Sequence, residues 1–208
     1  MSSAQYTEFR PHTPQRSQAP AFRSVESRRN RFDFPTLPLT GGGLYWLPVV
    51  HRGNQNCSPE EATAVCDLVA RCLATGATWT NNLVVAAQLL QKDILIVAPF
   101  NAHLAAIKEE LNVRGFSEVQ VGTVDKFQGR EEAIAIYSMA TSHPEDAPRG
   151  LRFLYDRHRL NVATSRAKCA SVLVACPELL RAECKTPQQL HLVSAMARFV
   201  ELAKSVVL

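Results

Sequence analysis

Short apolar runs alternate along this chain with longer segments whose apolar residues return every three or four positions. LYWLPVV (44–50), ILIVA (94–98), EVQVGTV (118–124), AIAIYSM (133–139) and SVLVA (171–175) read as strands. SPEEATAVCDLVARCLATG (58–76) reads as a helix capped by Ser58, with Glu61 at the capping-box position. FNAHLAAIKEELNVRG (100–115) reads as a second helix, on Leu104, Ile107 and Leu111. A third helical stretch is expected over about Tyr155 to Lys168, and PELLRAEC and PQQLHLVSAMARFVELAKSVV close the chain as helices with Pro177 and Pro187 near their first turns.

The strands are continuously apolar and separated by helices, the pattern of a parallel sheet covered on both faces. The expectation is one α/β domain, doubly wound on a mainly parallel sheet, from about residue 40 to residue 208. Residues 1–39 read differently. They mix Pro11, Pro14, Pro20, Pro35 and Pro38 with Ser, Gln and Arg and hold no sustained apolar period, which predicts a disordered or loosely attached segment.

Charge changes this picture little. The formal net charge is +4, but much of the excess comes from six arginines before residue 36 (Arg10, Arg16, Arg23, Arg28, Arg29, Arg31), set against Glu8, Glu26 and Asp33. The remainder is nearly neutral, so bulk charge says little about its ligand. The six cysteines form no CxxC pair and no zinc-type spacing, so they are expected as small buried hydrophobes and no metal site is assigned. With no secretory or membrane-spanning run, a reduced, cytoplasmic setting without membrane contact is expected.

Two polar stretches interrupt the apolar order. TVDKFQGREE (123–132) crowds charge and a glycine between two strand candidates. It reads either as a solvated turn with ion pairs or as a functional turn beyond the carboxyl end of a strand. Asp125 at the end of an apolar run could mimic a magnesium-binding aspartate, but the chain contains no GxxxxGK[ST] to cradle phosphates. RLNVATSRAK (159–168) places Asn161, Thr164, Ser165, Arg166 and Lys168 at the end of a helix before a strand. It is either an ordinary basic surface or an arginine positioned for a phosphoryl group.

The ordered series APFNAH, VGTVDKFQGRE and RLNVATSRAK resembles motifs IV, V and VI of superfamily 1 helicases. The branch it is most similar to includes the nonsense-mediated-decay RNA helicase and the DNA-replication helicase/nuclease, and LPVVHRGNQNCSPEEA and TPQQLHLVSAMARFVELA extend the likeness toward bacterial helicase/nuclease relatives. The resemblance implies the second of two RecA-like domains, a P-loop NTPase fold without its own P-loop, closing over ATP and Mg2+ bound to the first. By motif, Arg166 would be the arginine finger, Glu131 would bond the ribose, and Gln128 and Gly129 would line the phosphate end. Thr123, Asn101 and His103 would lie toward single-stranded nucleic acid, DNA in preference to RNA. The family often carries Tyr and Gln where this chain has Phe100 and His103.

The resemblance also implies a missing half, since residues 1–39 cannot hold a first RecA-like domain. That domain would be supplied in cis or in trans, and the chain would be an excised domain, a truncated product or a subunit. A non-enzymatic nucleic-acid or nucleotide binding module, or an inactive fragment, are the other readings open at this point.

Overall fold

The computed structural model describes residue 39 and residues 41–74, 76–80, 86–127 and 129–208. The element order is β1 (Gly43–Pro48), α1 (Pro59–Ala74), β2 (Thr78–Thr80), β3 (Ala86–Gln88), β4 (Ile94–Val97), α2 (Asn101–Val113), β5 (Gln120–Gly122), β6 (Glu132–Ser138), α3 (Gly150–Leu154), α4 (Arg157–Ser165), β7 (Ala167–Ala175), α5 (Pro187–Leu202) and β8 (Lys204–Ser205). Six strands form one sheet in the order β5-β4-β6-β7-β1-β8, and every pairing in it is parallel. β2 and β3 pair separately as an antiparallel ribbon.

Alternation along the strands feeds two cores. In β4, Ile94 and Ile96 join one apolar cluster with Val65, Leu68 and Val69 of α1 and Ile107 of α2, while Leu95 and Val97 join the other, with Leu160 of α4 and Phe199 of α5. The chain leaves β1 over one face through α1 and α2, then returns over the opposite face through the turn Val124–Phe127 and α3 to α5. Leaving on one face and returning on the other keeps each crossover of a parallel sheet right-handed. All four residues of β4 are fully buried, each contributing about 1.5–3 kcal/mol relative to exposure.

Several expectations shift. The strand expected at 171–175 begins earlier, so Lys168 lies in β7 and not on a helix. The third helix shortens to α4, a separate short helix α3 precedes it before Tyr155, and PELLRAEC forms only a 3-10 turn over Pro177–Arg181. β2, β3 and β8 are too short to show a period. The disordered segment expected at 1–39 lies outside the described residues except for Leu39, which is 1% exposed and belongs to the core. Cys66, Cys72, Cys169 and Cys176 are buried, and burial pushes the Cys66 and Cys72 thiols up to about 12.

Candidate functional site

The candidate residues divide between the two ends of the parallel strands. After Thr123, at the carboxyl end of β5, the chain turns through Val124–Phe127 and runs down one face of the sheet to the start of β6. Gly122 permits this path: a Cβ there would lie 2.5 Å from the Lys126 Cδ and 3.0 Å from the Phe127 ring. The stretch 129–131 therefore arrives at the amino edge of the sheet, opposite the carboxyl edge where such turns are expected. Gly129 has a φ of +82°, a conformation other residues adopt only with strain, and Gly129, Arg130 and Glu131 are exposed. Gln128 lies outside the described residues.

Arg166 reaches the same edge from 36 residues downstream. It is the C-cap of α4, and its carbonyl accepts the Glu132 N–H at 2.9 Å, which welds the start of β6 to the start of β7. The guanidinium donates from Nε to the Val162 carbonyl at 3.2 Å and from Nη1 to the Arg130 carbonyl at 3.5 Å. It forms no ion pair among the described residues, so the half-buried charge is positioned by backbone carbonyls and not neutralised. The neighbouring hydroxyls of Thr164 and Ser165 fold back onto the carbonyls of Asn161 and Val162. They do not add to the polar face expected there.

Thr123 and Asn101 occupy the carboxyl edge. Thr123 is half-buried beyond β5, and Asn101 is exposed at the first position of α2, after Phe100 as N-cap. Phe100 stacks on Phe153 of α3 at 5.4 Å between centroids, and the guanidinium of Arg159 lies 3.8 Å from the same Phe153 ring. α4 thus meets the α2 amino end through Phe153 and carries Arg166 at its other end.

His103 does not share the exposure of Asn101. It is 0% exposed, so the expectation that it faces nucleic acid is replaced by a buried role. Its Nδ1 receives the Ser58 N–H at 3.4 Å and its Nε2 meets the Ser138 hydroxyl at 2.7 Å. That hydroxyl donates to Glu61 Oε2 at 2.6 Å, which assigns the Nε2–H tautomer to a neutral imidazole. Burial holds the His103 imidazole below the ordinary histidine range, against the upward pull of the Glu61 carboxylate.

Glu61 stands at its expected position three residues after Ser58, but its side chain does not close the capping box. Ser58 does cap α1, its hydroxyl accepting the Glu61 N–H at 3.1 Å, but the Glu61 carboxylate does not return to the cap. It is 0% exposed and accepts from His51 Nε2 at 2.9 Å, Ser138 Oγ at 2.6 Å and the Ala140 N–H at 2.9 Å. His51 Nδ1 in turn meets the Ser142 hydroxyl at 2.7 Å. One carboxylate therefore joins the ends of β1 and β6 to α1, and through Ser138 to α2. Ala140 bonds it from a φ of +66°, the single non-glycine in that region among the described residues. With both histidines buried, this assembly is a scaffold for the carboxyl edge, nearly closed to solvent.

A family model described as "AAA domain" (AAA_12) matches residues 48–178, which include β4 through β7 and all of the candidate residues. The regulator of nonsense transcripts 1 homolog of Drosophila melanogaster is 29% identical over 162 residues, 75% of this chain and 13% of that protein. The DNA replication ATP-dependent helicase/nuclease DNA2 of Xenopus tropicalis is 39% identical over 103 residues, 49% of this chain and 10% of its own length. The DNA polymerase alpha-associated DNA helicase A of Schizosaccharomyces pombe is 44% identical over 82 residues, 39% of this chain and 12% of its own length. The chain thus spans between about a tenth and an eighth of the length of these relatives. It belongs to the AAA_12 family, the C-terminal half of superfamily 1 helicases of the kind that includes regulator of nonsense transcripts 1 and DNA2.

Proposed function

We propose that this chain is the second RecA-like half of an ATP-dependent superfamily 1 helicase or translocase, working with a first RecA-like domain supplied in cis or in trans. The observation that carries this reading is the amino edge, where Arg166 and the 129–131 turn are joined by the Glu132–Arg166 backbone bond while the Arg166 charge keeps no acidic partner among the described residues. Such a guanidinium suits a γ-phosphate presented from outside the chain.

The residues fit one side of a nucleotide cleft. Arg166 would stabilise charge on the transferring phosphoryl group, the exposed Glu131 carboxylate would accept from the ribose, and the left-handed backbone at Gly129 would allow close approach. No group of three His, Cys, Asp or Glu side chains able to hold a metal occurs among the described residues. Mg2+ would accordingly arrive with ATP and be held by the first domain. ATP supplies the phosphoryl transfer, and this chain supplies charge and position.

Closure over ATP would move α4, and the Arg159–Phe153–Phe100 stack links α4 to Asn101 at the nucleic-acid edge. The substrate is single-stranded nucleic acid. DNA is the strand expected to be preferred, and equal-length DNA and RNA strands as competing stimulators decide it. The test of the whole reading is ATP hydrolysis by this chain, by a separately expressed first RecA-like domain from a related helicase, and by their mixture, with single strand present. Turnover confined to the mixture supports the reading. A silent mixture of two folded partners overturns it in favour of a binding module.

A further inference from the structure

A groove of about 420 Å³ runs along the free edge of β5, between the carboxyl half of α2 and the turn Val124–Phe127. Lys108, Phe116, Glu118, Val121, Lys126 and Arg130 line it. Three of these are cations and one is an anion, and all four are exposed. The cations bond only neutral groups where they bond at all: Lys126 Nζ donates to the edge carbonyl of Val121 at 3.1 Å and Arg130 Nη1 to the Gln120 side-chain oxygen at 3.0 Å. None of the three forms an ion pair among the described residues.

We infer that this groove binds the phosphate backbone of a single-stranded nucleic acid, extending the proposed track from Thr123 along β5. The inference rests on that reading of Thr123, and Val121 is two residues away from it. The volume falls within the roughly 300–1,000 Å³ of small-ligand clefts, room for a nucleotide unit and too little for a duplex. Exposed cations beside the half-buried Phe116 ring match the sequence-tolerant mode in which phosphates meet charge and a base meets an aromatic face. Lys126 already occupies the carbonyl on the outward edge of β5, which disfavours a peptide adding as a further strand.

The test is fluorescence anisotropy of a labelled single-stranded oligonucleotide with the full chain across a salt series. The Lys108→Gln/Lys126→Gln double variant is expected to bind about tenfold more weakly near 0.1 M salt. Its log K against log salt slope should shrink by about 1.4, since each single-strand phosphate contact contributes about 0.7. Glu118→Gln should bind two- to threefold more tightly, by about the effect of one screened charge, a gain that misfolding cannot mimic. If the lysine variant and Glu118→Gln match wild type while Thr123→Val weakens binding, the groove assignment fails and the track stands. Loss in the lysine variant with Thr123→Val unchanged supports the groove and removes Thr123 from the track. A wild-type chain that binds no strand overturns both. Complete displacement by free mononucleotide at equal nucleotide concentration makes the free nucleotide the occupant and overturns the inference.

Discussion

The two edges of the sheet are built on opposite principles. At the carboxyl edge, Glu61, His51, His103, Ser138 and Ser142 satisfy one another inside the protein, and every polar atom of the Glu61 carboxylate has a donor. At the amino edge, Glu131 and Arg166 keep their charges without an ionic partner among the described residues. A buried network fixes geometry whatever binds. Charges left unpaired at an exposed edge instead gain only when another molecule arrives. The first edge thus holds a self-satisfied scaffold behind Thr123 and Asn101, and the second is, in the function proposed above, one side of a nucleotide site.

The sharpest way to break this contrast is to remove Arg166. In the reconstituted mixture Arg166→Ala should lower ATP turnover about a thousandfold, or roughly 4 kcal/mol of transition-state stabilisation, with the folding midpoint of the chain nearly unchanged. Arg166→Lys should rescue little, because an ammonium lacks the planar fork. Glu61→Ala should do the reverse, costing about 3–5 kcal/mol of stability by denaturant unfolding through stranded buried donors. Its effect on turnover should follow only from the unfolded fraction.

Acid sharpens the contrast further. His103 is held below the ordinary histidine range in the folded state, so the unfolded chain takes up a proton first as pH falls. The His103 contribution should be fully present above about pH 6.5 and be lost as pH falls from there toward the depressed folded value. Comparing the pH dependence of unfolding in wild type and His103→Gln isolates it. The smallest effect is expected at Ala140. Ala140→Gly relieves the left-handed strain but adds freedom to the unfolded chain, and should stabilise by about 0.5 kcal/mol in a melting experiment.

The parallel sheet was legible because apolar runs such as Ile94–Val97 have no polar face to alternate, and α2 because Leu104, Ile107 and Leu111 repeat. His103 was legible too, had its spacing of four from Ile107 and eight from Leu111 been followed onto the buried stripe. Glu61 was not. A glutamate three residues after an N-cap serine looks the same whether it returns to the cap or turns inward to His51, and the difference lies in partners distant along the chain. The edge at which 129–131 emerges was hidden for a related reason: a polar turn between strands does not reveal whether it stays at one end or descends the sheet. That depended on Gly122 clearing the path for Lys126 and Phe127.

The measurement that tests the division of the two edges most directly is ATP hydrolysis by the mixture, titrated with single strand, for wild type, Arg166→Ala and Asn101→Ala. Arg166→Ala should collapse the maximal rate. Asn101→Ala should leave the maximal rate near wild type and raise the strand concentration needed for half-stimulation. If both variants lower the maximal rate alike with no shift in half-stimulation, the edges do not divide nucleotide from nucleic acid and the account is wrong.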